Sequence, residues 1–366
     1  MKITAKKMLS VKNHHAAEYF PRFLLNDTTI SIDLVTYSYY RVLLFFIAVI
    51  IRVRLKIGGL FAKRTEDDNP SNDIVEKIYH REAETYENKH HLTTNFRDTW
   101  WRRQSGTDVV SYAQRNGNKK TITLLDIATG IGLSIEEMFK VFHEYDIDVE
   151  AHAIDYNQKM IDQARSVVYP RMKANKLLDA KHSVIFERSD ARNLVGKKSR
   201  GNLITFHHDT FDCVTIMFGI GGIDDPISFF ESALRVLKNG GIVSLNDMHR
   251  NVYGLDEHWP FFIGKKSAIA FAIMSWELIT RPLVLNALWG WRDTTPLFYI
   301  LPFVTVYDEI KETWYGYKTV NFFLDNEAWW YGIPVVPTAR IVVEKVILDE
   351  KEARHRQDII QNAIWN

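Results

Sequence analysis

The sequence predicts an α/β protein with a doubly wound, mostly parallel sheet over residues 74–250. Two observations predict this fold. From residue 120 onward, short apolar runs alternate with amphipathic helical stretches, which is typical of βαβ units. A glycine-containing turn follows the first apolar run, and an acidic residue ends the second. The composition agrees, because 46% of the 366 residues are hydrophobic and 25% are charged, which suffices for a large core.

The predicted elements alternate along the chain. Strands are predicted at residues 121–127, 149–154, 183–188, 211–218 and 242–245. Helices are predicted at residues 134–145, 158–168 and 227–237, and the last is expected to end at Lys238-Asn239-Gly240-Gly241. Ligands of such sheets bind outside the carboxyl ends of the strands, so the turns after the strands form the candidate site.

Residues 251–366 form a third region after an N-terminal extension with its linker (1–73) and the sheet-forming core (74–250). This region holds eight of the ten tryptophans. We interpret residues 251–324, with an amphipathic helix at 266–281, as an inserted aromatic cap, and residues 339–348 as the final strand of the core. The cap either lines a pocket for a flat or greasy ligand or forms a packing layer or oligomer interface, such as that of a homodimer.

Charge is distributed unevenly along the chain. Residues 1–64 contain 11 Lys or Arg and three acidic residues, whereas the whole chain carries a net charge of only +1. A basic head on a mildly acidic body indicates a membrane-facing or targeting segment and argues against a nucleic-acid-binding body. The single cysteine, Cys213, excludes an internal disulfide and a four-cysteine zinc site.

The basic head also contains ten uninterrupted apolar residues at 42–51, with Arg41 before them and Arg52, Arg54 and Lys56 after them. A transmembrane helix needs about 20 apolar residues, so this run favours a helix lying at a membrane interface. Packing against the body and a marginal span over residues 34–51 are the alternatives. An organelle transit peptide, for instance mitochondrial, is a further alternative, because the first 17 residues contain no acid. Residues 65–73 are polar and form a linker.

The first predicted strand runs into Asp126-Ile127-Ala128-Thr129-Gly130-Ile131-Gly132. Glycines at such a turn let the backbone approach a ligand closely, and the following helix presents free N–H groups. Ala128 occupies the first glycine position, so the turn is not the dinucleotide fingerprint G-x-G-x-x-G. An ordinary strand–helix turn is the alternative.

Acidic residues follow the next strands. Asp155 stands 23 residues after Gly132, where a carboxylate can accept both hydroxyl protons of a ribose, although a helix N-cap is the alternative. Asp190-Ala191 follows the third strand, placed to accept from the exocyclic amine of a purine. Met217-Phe218-Gly219 ends the fourth. In this order and spacing, the set indicates a nucleoside-containing cofactor.

This constellation resembles the class I S-adenosylmethionine-dependent methyltransferases, a Rossmann-like fold, over about half of the chain. It is most similar to the ubiquinone/menaquinone-biosynthesis C-methyltransferase (UbiE-like) family. The segments that carry the resemblance are Asp126 to Gly130, Phe211 to Ile216 with Phe218-Gly219-Ile220, Leu234 to Gly241, and Tyr86 fifteen residues before Trp101. The resemblance implies an enzyme that transfers a methyl group from S-adenosyl-L-methionine.

The resemblance also implies roles for single residues. Ala128, Thr129, Gly130 and Gly132 are expected around the amino-acid part of the cofactor, and Asp155 at the ribose. The adenine is expected against Tyr156, Met160, Asp190 and Ala191, and the methyl group beside Met217, Phe218 and Gly219. Asp126 is expected to orient the loop or the cofactor's ammonium group.

Two departures concern the acceptor. Where the family has Arg-Asn after Phe-Gly-Ile, this chain has Gly221-Gly222, and the family's His-Arg pair falls on Asp98-Thr99. These changes remove a cation that would stabilise a phenolate, so a quinol acceptor is not predicted. A lipophilic acceptor is predicted instead: a lipid, terpenoid, polyketide or prenylated ring. The alternative is a protein that binds the cofactor but performs another reaction or serves as an assembly subunit beside a membrane enzyme.

Methyl transfer from a sulfonium needs chiefly orientation and exclusion of water, and a base only if the acceptor arrives protonated. Asp247 and His249, after the fifth strand, are the base candidates, with a turn and a surface histidine as their alternatives. Tyr86, His90 and His91 are candidates for covering the cofactor; a packed tyrosine and two solvated histidines are the alternative. No histidine spacing indicates a metal site, since His80, His90 and His91 lack a suitably placed Cys or carboxylate.

Overall fold

The computed structural model describes residues 72–88, 90, 97–195, 203–248, 294–325, 329–330, 333–334 and 338–364. The basic head, most of the linker, the predicted helix at 266–281 and His249 lie outside these residues. Among the described residues, no helix is long and apolar enough to cross a membrane.

Five parallel strands form the core of one eight-stranded sheet. They are β1 (Thr121–Ile127), β2 (Asp148–Asp155), β3 (His182–Arg188), β4 (Phe211–Met217) and β5 (Leu237–Met248). The sheet continues with β6 (Thr305–Asp308), β7 (Thr313–Asp325) and β10 (Thr338–Leu348), and β8 (Trp329–Trp330) pairs with β9 (Ile333–Pro334) as a separate ribbon. The strand order is β3-β2-β1-β4-β5-β10-β7-β6, with β10 antiparallel to both β5 and β7. The predicted doubly wound sheet is confirmed.

Helices cover both faces of the sheet. They are α1 (Asn72–Glu82), α2 (Arg97–Arg115), α3 (Leu133–Glu144), α4 (Gln158–Gln163), α5 (Tyr169–Ala174), α6 (Pro226–Val236), α7 (Thr295–Ile300) and α8 (Glu350–Ile364). Because successive side chains of a strand point to opposite faces, β1 contributes to both cores. Ile122 and Leu124 pack beneath α2 and α3, whereas Leu125 and Ile127 pack beneath α6.

Two boundaries differ from the sequence prediction. Helix α6 ends at Val236, and Gly240-Gly241 lies inside β5 rather than closing the helix. The register of β5 against β4 shifts between Phe211 and Cys213, and Gly240 has a φ of +75°, so the glycines accommodate an irregularity in the strand. The helix predicted at 158–168 continues to Ala174 through a π-helical turn at 164–168.

The region interpreted as an aromatic cap is also corrected where it is described. Residues 305–308 and 313–325 are strands β6 and β7 of the main sheet, and they continue it beyond β10. The predicted final strand at 339–348 is confirmed as β10, which lies between β5 and β7. Seven of the eleven residues of β10 are buried, as expected for a strand with sheet neighbours on both sides.

Candidate functional site

The strand order reverses between β1 and β4, and the candidate site lies at that point. A pocket opens there at the carboxyl ends of the strands, enclosing about 790 Å³ when space open to solvent is included. It is lined by Glu76, Tyr79, Tyr86, Ala128, Gly130, Ile154, Asp155, Tyr156, Asn157, Met160, Ser189, Asp190, Ala191, Arg192, Phe218, Gly219, Gly222 and Ile223. Crevices at the switch points of α/β sheets are the usual ligand sites of such folds.

The turn after β1 adopts the left-handed conformation at alternate residues. The φ angles of Ala128, Gly130 and Gly132 are +52°, +58° and +92°. A positive φ is strained for Ala128, because its Cβ disfavours this conformation, whereas glycine adopts it readily. At Gly132 an added Cβ would lie 2.8 Å from the Phe186 ring, so glycine is also required there by packing.

The turn after β4 contacts the turn after β1 directly. A Cβ added at Gly219 would lie 2.4 Å from the Cβ of Ala128, a distance that real side chains do not adopt. Phe218, beside Gly219, has a φ of +52° and so, like Ala128, lies in the left-handed region although it is not a glycine. The two turns therefore fit one another only because Gly219 has no side chain.

Asp155 joins the turn after β1 to the end of β2. Its Oδ2 accepts a hydrogen bond from the Gly130 N–H at 2.8 Å, and its Oδ1 accepts one from the Asn157 N–H at 2.8 Å. Burial raises the pKa of this carboxyl, and these backbone hydrogen bonds only partly offset the effect. The N-cap of α4 is Asn157, whose side chain accepts from the Met160 N–H. The alternative that Asp155 caps this helix is therefore wrong.

Asp190 is paired with an arginine that the sequence analysis did not single out. The Nε and one terminal nitrogen of Arg192 donate to its two oxygens at 2.9 Å and 2.7 Å, and Arg192 also bridges to Asp224 at 2.7 Å. Burial alone would raise the pKa of Asp190, but the Arg192 hydrogen bonds prevail and lower it. Asp190 is therefore ionised at neutral pH, and Arg192 fixes its orientation at the pocket wall.

Two tyrosines from the segment before the sheet close one side of the pocket. Tyr79 lies on α1, and Tyr86 lies in a short helical segment at 86–88. Burial raises the pKa of Tyr86 to about 12, although Arg102 opposes the shift, and burial also raises the pKa of Tyr79. Both hydroxyls therefore stay protonated at neutral pH. Tyr86 can donate a hydrogen bond to a bound ligand. It cannot act as a base, because only the deprotonated side chain accepts a proton and this hydroxyl keeps its proton at neutral pH.

Behind this wall lies a buried charge cluster formed by His90, Asp98 and Arg102. Arg102 is only 4% exposed and places a terminal nitrogen 3.4 Å from Asp98 and 3.4 Å from Nδ1 of His90, which itself lies 3.3 Å from Asp98. The His90 and Trp101 rings both contact Phe218, with centroid distances of 5.4 Å and 5.5 Å. Arg102, which follows Trp101 on α2, is therefore a buried cation behind the Phe218 side of the pocket, although the positions of the family's Arg-Asn and His-Arg pairs carry no cation in this chain.

Asp126 lies buried beneath the first turn rather than in the pocket wall. The Thr215 hydroxyl donates to it at 2.7 Å. Burial raises its pKa to about 6, against the opposing effects of the Thr215 hydrogen bond and of the Arg102 charge. A buried carboxyl at this place holds the ends of β1 and β4 together beneath the pocket.

The structure brings ten of the predicted site residues to the pocket wall: Tyr86, Ala128, Gly130, Asp155, Tyr156, Met160, Asp190, Ala191, Phe218 and Gly219. Asp126, Thr129, Gly132 and Met217 stand behind that wall. Asp247 is buried and accepts a hydrogen bond from the Ile220 N–H at 3.2 Å, which fits its alternative role of holding a turn. The roles given to these residues stay predictions.

Several lining residues were not predicted, among them Glu76, Asn157, Arg192, Gly222 and Ile223. The Asn157 side chain donates to the Glu76 carbonyl at 2.8 Å and so ties α1 to the pocket. Arg192 stands two residues after Asp190 in the sequence, so its place at the pocket wall could have been predicted from that motif. The contribution of α1 carries no signal in the sequence.

The strand order and the placement of the pocket define a class I, Rossmann-like methyltransferase fold. A model of the ubiE/COQ5 methyltransferase family matches residues 65–263, and the chain belongs to that family. The resemblance found in the sequence is thereby confirmed.

Two relatives are similar at low identity. The chain is 25% identical over 181 residues to the ubiquinone/menaquinone biosynthesis C-methyltransferase UbiE of Proteus mirabilis, covering 50% of this chain and 61% of the relative. It is 26% identical over 128 residues to the demethylmenaquinone methyltransferase of Protochlamydia amoebophila, covering 35% of this chain and 45% of the relative. The match thus spans about half of these relatives' length.

Among solved structures, phosphoethanolamine N-methyltransferase 1 of Haemonchus contortus, in complex with phosphoethanolamine and S-adenosylhomocysteine, is similar at 11% identity. The alignment has a TM-score of 0.47 and covers 80% of this chain and 55% of that one.

Proposed function

We propose that this chain transfers a methyl group from S-adenosylmethionine to a lipophilic small-molecule acceptor. The observation that carries the proposal is the Asp155 carboxylate, which stands at the end of β2 beside the left-handed turn Ala128 to Gly132 and inside the pocket. Membership of a methyltransferase family supports the same cofactor.

The residues of the pocket fit this cofactor. Each Asp155 oxygen accepts one backbone N–H, and a carboxylate offers about four acceptor sites, so two hydroxyl groups of a ribose can still bind. Met160 and Ala191 offer apolar contacts for an adenine ring, and Gly130 leaves the turn after β1 open to a close approach. When bound, the cofactor supplies an electrophilic methyl group on a sulfonium. The chain's own contribution is to bind, to orient and to exclude water.

The acceptor side of the pocket supports a lipophilic substrate with a polar end. Tyr79, Tyr86 and Phe218 present aromatic rings, and Trp101 packs behind Phe218. Arg102 lies buried behind these rings and is close enough to affect the pKa of Tyr86. A lipid, terpenoid, polyketide or prenylated ring that carries a hydroxyl group combines both features. We assign Asp247 or His249 as the base that accepts the proton of that hydroxyl.

We further propose that residues 1–64 bring the enzyme to the surface of an intracellular membrane, where lipophilic acceptors are concentrated. Basic residues beside an apolar run combine insertion with attraction to anionic lipids. Co-sedimentation with anionic liposomes should fall sharply when residues 1–64 are removed. Equal sedimentation of the shortened chain would assign the head to packing against the body.

Methyl transfer is tested by incubating the full chain with methyl-labelled S-adenosylmethionine and a total lipid extract, then separating the organic phase. The expected result is a labelled lipophilic product that requires the wild-type chain and is strongly reduced in Asp155→Asn. Cofactor binding without a labelled product from any extract would contradict the proposed acceptor class and favour a cofactor-binding protein with another role.

A further inference from the structure

A second cluster of chemically capable side chains lies at the opposite edge of the sheet. His143 is in the last turn of α3, Asp179 precedes β3, and His182 is the first residue of β3. One candidate ligand atom from each residue lies within 4.8 Å of the others. This edge carries the amino ends of β2 and β3, whereas the pocket lies at their carboxyl ends.

Both imidazoles are oriented by backbone carbonyls. Nε2 of His143 lies 3.1 Å from the Leu177 carbonyl, and Nε2 of His182 lies 3.0 Å from the Ile147 carbonyl. A carbonyl oxygen only accepts, so both Nε2 atoms donate. Nδ1 of His143 can then offer a lone pair, whereas Nδ1 of His182 lies 2.9 Å from Asp179 Oδ1 and donates to it, so an ion that binds there displaces that proton. Metal-binding histidines characteristically use this arrangement, because the carbonyl fixes the ring and its tautomer.

Asp179 supplies the oxygen ligand of the set. Its Oδ1 lies 2.9 Å from Nδ1 of His182 and accepts the backbone N–H groups of Lys181 and His182. The side chain is 47% exposed, so an ion and its water can reach it from solvent. Lys181 lies between Asp146 and Asp148, at 3.5 Å from each, so its charge is directed to other carboxylates.

We propose that His143, Asp179 and His182 bind a zinc ion, with water as the fourth ligand, at a site separate from the methyltransferase pocket. Two nitrogens and one carboxylate oxygen are a common zinc donor set, with bonds of about 2.0–2.2 Å. Tetrahedral bonds of that length place ligand atoms roughly 3.4 Å apart. The Asp179 and His182 ligand atoms, now 2.9 Å apart, must therefore separate slightly to admit an ion. The His143 ring, stacked 3.9 Å from His182, must tilt toward Asp179. Such an ion would join the end of α3 to the start of β3.

The proposal is tested by titrating the full chain, stripped with EDTA, with zinc chloride in a calorimeter. The wild type should bind one equivalent that is lost, or weakened more than tenfold, in both His143→Ala and Asp179→Asn. His152→Ala is the matched control, because His152 on β2 pairs with the carboxylate of Glu187 on β3 at 3.0 Å and has no second imidazole beside it in that pair. This control should bind zinc as the wild type does.

Two readouts keep the test independent of folding and of the proposed function. Melting curves in EDTA should show both variants folded. In the wild type, zinc should protect His143, but not His152, from diethyl pyrocarbonate as measured by mass spectrometry. Unchanged zinc binding in both variants, equal loss in His152→Ala, or no selective protection of His143 would each overturn the site. Cofactor binding has no part in these measurements, so failure of the proposed methyl transfer leaves the result interpretable.

Discussion

Replacing Asp155 by asparagine separates its role in the pocket from its role in the fold. The carboxylate now accepts two backbone N–H groups at 2.8 Å each, and an asparagine can accept only one of them in the same place. A hydrogen bond to a charged group contributes about 1.5–3 kcal/mol, so the fold should lose roughly that much stability. The cofactor's ribose loses a charged acceptor as well. Its affinity should therefore fall by a further 1.5–3 kcal/mol or so, which is roughly ten- to a hundredfold.

The assay is calorimetric titration with S-adenosylhomocysteine, well below the melting temperature. Asp212→Asn is the matched control: Asp212 is also a buried carboxylate, accepts the Thr123 N–H at 2.9 Å and pairs with Lys119, but does not line the pocket. The control should lose stability without losing cofactor affinity. Unchanged affinity in Asp155→Asn, or an equal loss in Asp212→Asn, would refute the assignment of Asp155 to the ribose.

Three further results are expected. Gly219→Ala places a Cβ 2.4 Å from that of Ala128, so it should lower the free energy of unfolding by about 1–3 kcal/mol and weaken cofactor binding. Adding Ala128→Gly to the same chain should restore both. A double variant no more stable than Gly219→Ala would disprove the clash. Burial raises the pKa of Asp126 to about 6 from 3.8, so between these two pH values the folded chain holds a proton on this carboxyl that the unfolded chain has lost. The free energy of unfolding of the wild type, relative to that of Asp126→Asn, should therefore fall by about 3 kcal/mol as the pH rises from 4 to 6, and then level off. Denaturant melts at several pH values measure this, and a flat difference would contradict the burial argument. His249→Ala or Asp247→Ala should lower turnover by about 10²–10⁴-fold with cofactor affinity nearly intact; two silent, folded variants would exclude both as the base.

The strands were predictable because each is a short apolar run bounded by polar turns. A parallel strand that is buried on both faces accepts few polar side chains, so its sequence is nearly all apolar. The position of Asp155 followed from the end of its strand. The glycine pair after α6 was misread, because glycines that end a helix and glycines at a strand irregularity look alike in sequence. Strands β6 and β7 were missed because aromatic side chains pack equally well in a cap and in a sheet.

The buried cluster of His90, Asp98 and Arg102 shows what spacing alone does not give. His90 and Arg102 are twelve residues apart, and only the packing of α2 against the segment before it brings them to 3.4 Å. The sequence showed that Arg102 follows Trp101, but not that it lies buried between Asp98 and His90. The cluster of His143, Asp179 and His182 depends in the same way on tertiary contact between α3 and β3.

Calorimetric titration of the wild-type chain with S-adenosylhomocysteine measures directly whether the crevice between β1 and β4 binds the cofactor. We expect saturable binding of one molecule per chain. The absence of saturable binding to the folded wild-type chain would show that this crevice is not a cofactor site.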